Sequence, residues 1–154
     1  MEKTIAFARH HNADVYAPEE FKNCLSLHKK TMNAWKAQND IWIVRRNYTE
    51  VSSLIDSTIE NAEIAARKAI EKSGNMKDFI GNTQTHLLER DAYFTEKFRL
   101  LPLEKELLKN HSEAHQLLKE AIEASKRGDL NSAYKMLVIA YEASFELATN
   151  VRNT

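Results

Sequence analysis

Residues 49–72 read TEVSSLIDSTIENAEIAARKAIEK, and small or apolar side chains recur in this segment at intervals of three and four positions. That spacing is typical of an α-helix with one buried face. Small side chains late in the series allow a neighbouring helix to approach closely. We therefore predict a helix from about Thr49 to Lys72, with a buried face formed by Val51, Ile55, Thr58, Ala62, Ala65 and Ala69.

The preceding segment predicts a partner helix from Pro18 to about Arg45. Proline suits the first turn of a helix, where its missing N–H costs nothing, and Glu19 and Glu20 complement the positive end of the helix dipole. A shorter helix, from about Lys3 to His11 with Ile5, Ala8 and Phe7 inward, is expected before it and ends at Asn12. The buried stripe predicted for the partner helix is Phe21, Leu25, His28, Met32, Trp35, Asn39 and Trp42.

Two breaks follow, at Ser73-Gly74-Asn75 and at Gly81-Asn82-Thr83. They predict that Met76 to Ile80 is a connector with at most one helical turn, followed by a helix from about Gln84 to Leu100. The last two predicted helices run from Pro102 to about Lys126, closed by Gly128, and from about Leu130 to Val151, capped by Asp129.

The two helix pairs resemble each other. Aligning Asn47 with Asp129 places Val51 on Ala133, and apolar or small positions coincide; the alternative is a chance match between amphipathic helices. One pair exposes an apolar face that a second pair can cover. We predict an all-α fold, an antiparallel bundle in one domain over residues 1–154. It comprises hairpin one (about 18–72), hairpin two (about 102–151), a short N-terminal helix, and a connector with a connecting helix (together about 76–100).

Composition excludes several classes of function. The 22 basic and 22 acidic residues balance, so the field that attracts nucleic acid is missing. Every apolar run, Ile41 to Val44 included, is far shorter than the roughly 20 residues of a transmembrane helix. The first residues carry no signal-peptide pattern. Export is therefore expected only if a leader, with a possible lipid anchor, precedes the given sequence; otherwise the chain is expected in the cytoplasm.

Two histidines carry the best hint of chemistry. His111 and His115 lie four residues apart, on one helix face, which is a metal-ligand spacing. A di-iron carboxylate bundle needs a glutamate three residues before its histidines, and no histidine of this chain has one. We expect a structural or solvent-facing pair and no cofactor. Binding of a metal or small ligand by His111 and His115 is the alternative.

Cys24 stands one turn before His28, which is the spacing of a possible nucleophilic pair. Such a pair needs a third, orienting group and an oxyanion site, and the sequence reveals neither. We therefore predict no catalytic residues and no enzymatic activity.

The run Ile41-Trp42-Ile43-Val44 is apolar on every side of the predicted helix, although one apolar face is enough for packing. Two interpretations stay open. Either the connector or the N-terminal helix covers the run, or it docks a protein partner or a second copy of the chain. We predict Ile41, Trp42, Ile43 and Val44 as partner-binding residues.

The segments ADVYAPEEFKNCLSLHKKTMNAW (13–35) and RRNYTEVSSLIDSTIENAEIAARKA (45–69) resemble a bacterial helical-hairpin family of unknown function. The resemblance implies an exported lipoprotein or envelope protein with tetratricopeptide-like hairpins, sometimes preceding a LysM module, and it supplies no catalytic residues. Cys24, His28 and Trp35 depart from the family pattern, which has small residues there. The matching residues are Ala13, Tyr16, Ala17, Pro18, Glu19, Glu20, Ala62, Ala65, Ala66 and Ala69.

These observations favour a non-enzymatic protein–protein interaction or scaffold module of the bacterial cell envelope, in the periplasm if exported. The alternative is a helical bundle that binds a metal or small ligand through His111 and His115. A third possibility is a cytoplasmic enzyme with an unrecognised site.

Overall fold

The computed structural model describes residues 1–98 and 105–152, with side chains described for residues 1–97 and 105–146. Within these ranges all regular secondary structure is helical, and the all-α prediction is confirmed. The chain separates into two compact units, an N-terminal unit, Met1–Gly74, and a C-terminal unit, Asn75–Thr154. The helices are α1 (Glu2–His10), α2 (Ala13–Tyr16), α3 (Pro18–Asn39), α4 (Thr49–Phe98), α5 (Lys105–Lys126) and α6 (Leu130–Arg152), with a 3-10 turn at Ile43–Arg45.

The N-terminal unit contains α1, α2, α3 and the first half of α4. Asn12 adopts the left-handed conformation with φ 54° and terminates α1, as predicted. Pro18 occupies the first turn of α3, also as predicted. Ile5 and Ala8 of α1 are buried, whereas Phe7 is half exposed, so its predicted inward position is wrong.

The buried face of α3 differs from the predicted stripe. Phe21 is buried as predicted, whereas Leu25 and Trp35 are exposed, and the face continues through Cys24 and Thr31. The predicted face of α4 is confirmed at Val51, Thr58, Ala62, Ala65 and Ala69. The Thr31 and Thr58 hydroxyl oxygens lie 3.1 Å apart, a separation that large side chains between the helices would prevent. Small side chains therefore form the interface around Thr31 and Thr58, and Leu25 and Trp35 lie outside it.

The predicted connector at Met76 to Ile80 is wrong, because α4 continues as one helix from Thr49 to Phe98. Gly74 and Gly81 lie within it at negative φ. A glycine inside a helix costs only about 0.5–1 kcal/mol relative to alanine. Burial at helical spacing outweighs this cost: the buried residues after the boundary are Ile80, Thr83, Leu87 and Phe94.

The C-terminal unit contains the second half of α4 together with α5 and α6, which form a tight helical hairpin. Gly128 closes α5 at φ 81°, and the Asp129 carboxylate accepts a hydrogen bond from the Ser132 backbone N–H at 3.1 Å. Both features were predicted. The predicted helix start at Pro102 lies outside the described residues. That the two hairpins form one bundle stays a prediction.

Candidate functional site

The turn between α3 and α4 carries the predicted partner-binding residues. Helix α3 ends at Asn39, so the prediction that it continues to Arg45 is wrong. Trp42 is 79% exposed, Ile43 76% and Val44 77%, whereas Ile41 is 38% exposed. The first three side chains are therefore open to solvent, contrary to the interpretation in which another part of the chain covers them. We call residues Ile41–Val44 the hairpin tip.

Arg46 explains why α3 ends before the hairpin tip. Its Nε donates to the carbonyl oxygen of Ile41 at 3.1 Å, and its Nη2 donates to the carbonyl oxygen of Asn39 at 3.0 Å. These carbonyls belong to the end of α3 and the residues just beyond it, where helical partners are missing. The Tyr48 hydroxyl also donates to Asn39 Oδ1 at 2.8 Å. Arg46 and Tyr48 thus stabilise the turn through side-chain hydrogen bonds to residues at the end of α3.

A second region joins α4 to α5 in the C-terminal unit. His111 and His115 lie on one face of α5, as their spacing predicts, with ring centroids 6.4 Å apart. Asp91 of α4 approaches both: its Oδ2 lies 2.8 Å from His115 Nδ1, and its Oδ1 lies 3.7 Å from His111 Nε2. An ionised carboxylate only accepts hydrogen bonds, so His115 Nδ1 carries the proton in this pair. We call Asp91, His111 and His115 the histidine cluster.

The environment of His111 shifts its protonation. Burial lowers the pKa of His111, because an imidazolium ion is poorly solvated among packed side chains. The Asp91 charge raises this pKa, and His115 lowers it, but burial is the largest influence. His111 therefore favours its neutral form more strongly than a histidine in water does.

A small pocket adjoins the histidine cluster. The volume within which the centre of a water molecule can lie is about 20 Å³. One water needs roughly 10–15 Å³ by this measure. Ser144 of α6 lines the pocket, and among the described residues its buried Oγ has no hydrogen-bond partner. The site can therefore accept one small polar molecule. The other lining residues are Leu87, Asp91, Phe94, His111, Ala114, His115, Leu118 and Ala140.

Metal coordination demands a different arrangement of the same groups. In the part of the chain that the structure describes, no three His, Cys, Asp or Glu side chains are placed to hold an ion. The Asp91 and His115 donor atoms face each other at 2.8 Å, whereas zinc ligands point at a common centre about 2.0–2.2 Å away. Metal binding would require these side chains to turn.

Cys24 has the properties of a packing residue. It is fully buried, and its thiol donates to the Thr58 carbonyl oxygen at 3.7 Å. Burial raises the pKa of this thiol, so the reactive thiolate is disfavoured. The geometry gives no support to a Cys24–His28 nucleophilic pair.

Comparison of the chain with protein-family models, curated proteins and solved structures gave no match. The resemblance to the helical-hairpin family thus stays a prediction. Among the residues described, no helix combines the length and apolar character needed to cross a membrane.

Proposed function

We propose that this chain is a non-enzymatic interaction or scaffold module of the bacterial cell envelope that attaches through its hairpin tip. The observation that carries the proposal is the exposure of Trp42, Ile43 and Val44, each more than three quarters open to solvent. Burying a large apolar side chain typically contributes about 1.5–3 kcal/mol. Three such residues in succession can therefore supply much of the free energy of an attachment.

The placement in the cell envelope is supported by the sequence resemblance alone. Its most specific part is the start Tyr16-Ala17-Pro18-Glu19-Glu20, which the fold uses as the entry to α3. A hairpin entered in this way presents its turn at the far end of α3. The turn is thus available for contact while the helices carry the packing.

Site-specific photo-crosslinking tests the attachment. A photoreactive residue replaces Ile43 of the hairpin tip, and in a control chain it replaces Ile139, which is also exposed (52%) but lies on α6. In the organism that makes the chain, we expect adducts from position 43 and few from position 139. A protein partner gives a heavier band, a second copy gives a band of twice the mass, and a membrane gives a lipid adduct that mass spectrometry of the chain detects. Equal adduct formation at both positions, or none at position 43, would refute the proposal.

A second candidate function is binding of a small polar ligand or metal at the histidine cluster. Two observations favour it: Asp91 lies close to both histidines, and the buried Ser144 hydroxyl beside them has no hydrogen-bond partner in the described part of the chain. Native mass spectrometry of the full chain with added Zn²⁺, with D91N as the comparison, tests it. Stoichiometric zinc that raises the melting temperature of the wild type and not of D91N would support this candidate. Equal, weak uptake by both chains would refute zinc binding there.

A further inference from the structure

We propose that the hairpin tip docks on a lipid bilayer with anionic headgroups. Trp42, Ile43 and Val44 enter the boundary between headgroups and acyl chains, and Arg45 remains among the headgroup phosphates. This inference rests on the proposed function, because it names what the same tip attaches to.

The local geometry favours a fluid partner over a shaped one. Ile43–Arg45 form a single 3-10 turn, in which successive side chains are rotated by about 120°. The apolar side chains therefore point in different directions around the turn, and all of Trp42, Ile43 and Val44 are exposed. A helix that docks in a protein groove does so through residues that share one face, at spacings of three and four, and the residues of the tip do not have this arrangement. Hydrocarbon can surround an inserted turn on every side.

Hydrogen bonds within the turn pair some of its backbone groups, which lowers the cost of moving the tip from water into a membrane. An unpaired backbone group in hydrocarbon costs several kcal/mol. The Arg45 backbone N–H donates to the Trp42 carbonyl oxygen at 2.8 Å, and the Ile41 N–H donates to the Gln38 carbonyl oxygen at 3.3 Å. Arg46 satisfies the Ile41 carbonyl from its side chain. The Ile41 N–H and the carbonyl groups of Ile41 and Trp42 are thus paired within the turn itself.

The positive charge beside the hairpin tip favours a membrane with anionic headgroups. The charged residues between positions 41 and 48 are Arg45 and Arg46, and the nearest carboxylates are Asp40 and Glu50, on either side of this segment. Both arginines are exposed, but the guanidinium of Arg46 donates to backbone carbonyls of the turn, which leaves Arg45 as the arginine we assign to the headgroups. A basic residue at an anionic membrane surface strengthens binding by about 1 kcal/mol, or about fivefold. Trp42 also belongs to the residue types that prefer the membrane interface.

Binding to vesicles tests this inference. W35F leaves Trp42 as the single tryptophan of the full chain, so its fluorescence reports the tip. With vesicles of phosphatidylcholine and phosphatidylglycerol, we expect a blue shift and quenching by brominated acyl chains. Added to this background, I43S/V44S should lower the partition constant by about tenfold or more. R45Q should lower it by about fivefold on these vesicles, and less on pure phosphatidylcholine.

The matched control is V15S/I139S, which replaces the same two residue types at other exposed positions (48% and 52% exposed). It should bind vesicles as the parent does, and circular dichroism verifies that every variant is folded. No binding of the parent to anionic vesicles, or equal losses in I43S/V44S and V15S/I139S, would overturn the inference. If vesicles are not bound but position 43 crosslinks to a protein, the lipid inference fails and the proposed function stands. If neither occurs, both fail.

Discussion

The side-chain hydroxyl groups of Thr31 and Thr58 are paired inside the N-terminal unit. Thr31 Oγ1 lies 2.9 Å from the Leu27 carbonyl oxygen, and Thr58 Oγ1 lies 2.7 Å from that of Leu54. The two hydroxyl oxygens lie 3.1 Å apart. Two hydroxyl protons serve these three contacts, so each hydroxyl always has an acceptor. Buried polar groups are tolerated when they are paired in this way, which explains their place between α3 and α4.

His111 is governed by a competition between burial and charge. Its Nε2 lies 3.4 Å from Thr95 Oγ1 and 3.7 Å from Asp91 Oδ1, and His115 is its neighbour on α5. Burial prevails, and the pKa of His111 is below its usual value of 6.5. As the pH falls through about 6.5, the unfolded chain therefore binds a proton at this residue before the folded chain does. Through His111, acidification therefore lowers the free energy of unfolding.

The first prediction follows from this sign. Between about pH 7.5 and 5.5, the wild type should lose more free energy of unfolding than H111Q, because glutamine does not titrate. Urea unfolding followed by circular dichroism at each pH measures both losses. The difference between the two chains isolates this position from the five other histidines, since the chain has 6 in all. An equal loss, or a smaller one in the wild type, would contradict the prediction.

The histidine cluster was only half predictable from sequence. His111 and His115 share a face because they lie four residues apart on one helix. Asp91 was placed in a helix, but periodicity does not determine how that helix is rotated and displaced along α5. Ser144 lies in the predicted last helix and is buried, but the position of its hydroxyl, which has no hydrogen-bond partner among the described residues, depends on the same unknown register. The spacing of residues in the sequence therefore predicts which side chains are neighbours on one helix. It does not predict which side chains of two different helices meet.

At the scale of elements, glycine has opposite roles in α4 and after α5. Gly81 lies inside α4 at negative φ, whereas Gly128 adopts φ 81°, which L side chains rarely do. An added Cβ would meet no atom within 4 Å at either position. Conformation, and not space, therefore decides the effect of a side chain at each.

The second prediction compares these two glycines. G81A should raise the free energy of unfolding by about 0.5–1 kcal/mol, because alanine favours the helix and restricts the unfolded chain. G128A should lower it by about 1–2 kcal/mol, the usual cost of a left-handed alanine. Both residues lie in the C-terminal unit, so the same urea transition reports them. Destabilisation by G81A would indicate that α4 is not a continuous helix at this point.

Helix starts were predicted better than helix continuity. Pro18 and Asp129 act through neighbours in sequence, and their effects are therefore visible in the chain itself. The end of α3 depends on Arg46, which bonds carbonyls five and seven residues earlier. The continuity of α4 depends on the burial of Ile80 and Leu87. The helix propensity of Gly81, taken by itself, does not indicate this burial. Tertiary contacts therefore decided the elements that the pattern missed.

At the scale of the whole molecule, each unit contains one of the predicted hairpins. The N-terminal unit joins α3 to α4 through Cys24, Thr31 and Thr58. The C-terminal unit joins α4 to α5 through Asp91 and His115, and it joins α4 to α6 through the rings of Phe79 and Tyr134, which are in contact and tilted by 47°. The periodic pattern predicted these hairpins, but it could not reveal that α4 takes part in both units. A pattern identifies buried faces without identifying what covers them.

The third prediction concerns the independence of the two units. Fragments 1–74 and 75–154, cut at the boundary within α4, should each unfold cooperatively in urea, because each has buried side chains that pack within it. Their stabilities should be low, since domains of this size bury only about 60% of their unfolded surface. The dependence of unfolding free energy on urea scales with the surface exposed, so the two fragment slopes should sum to nearly that of the full chain. Fragments that are unfolded alone and regain helix only when mixed would place the core between the hairpins, as the single-bundle prediction requires.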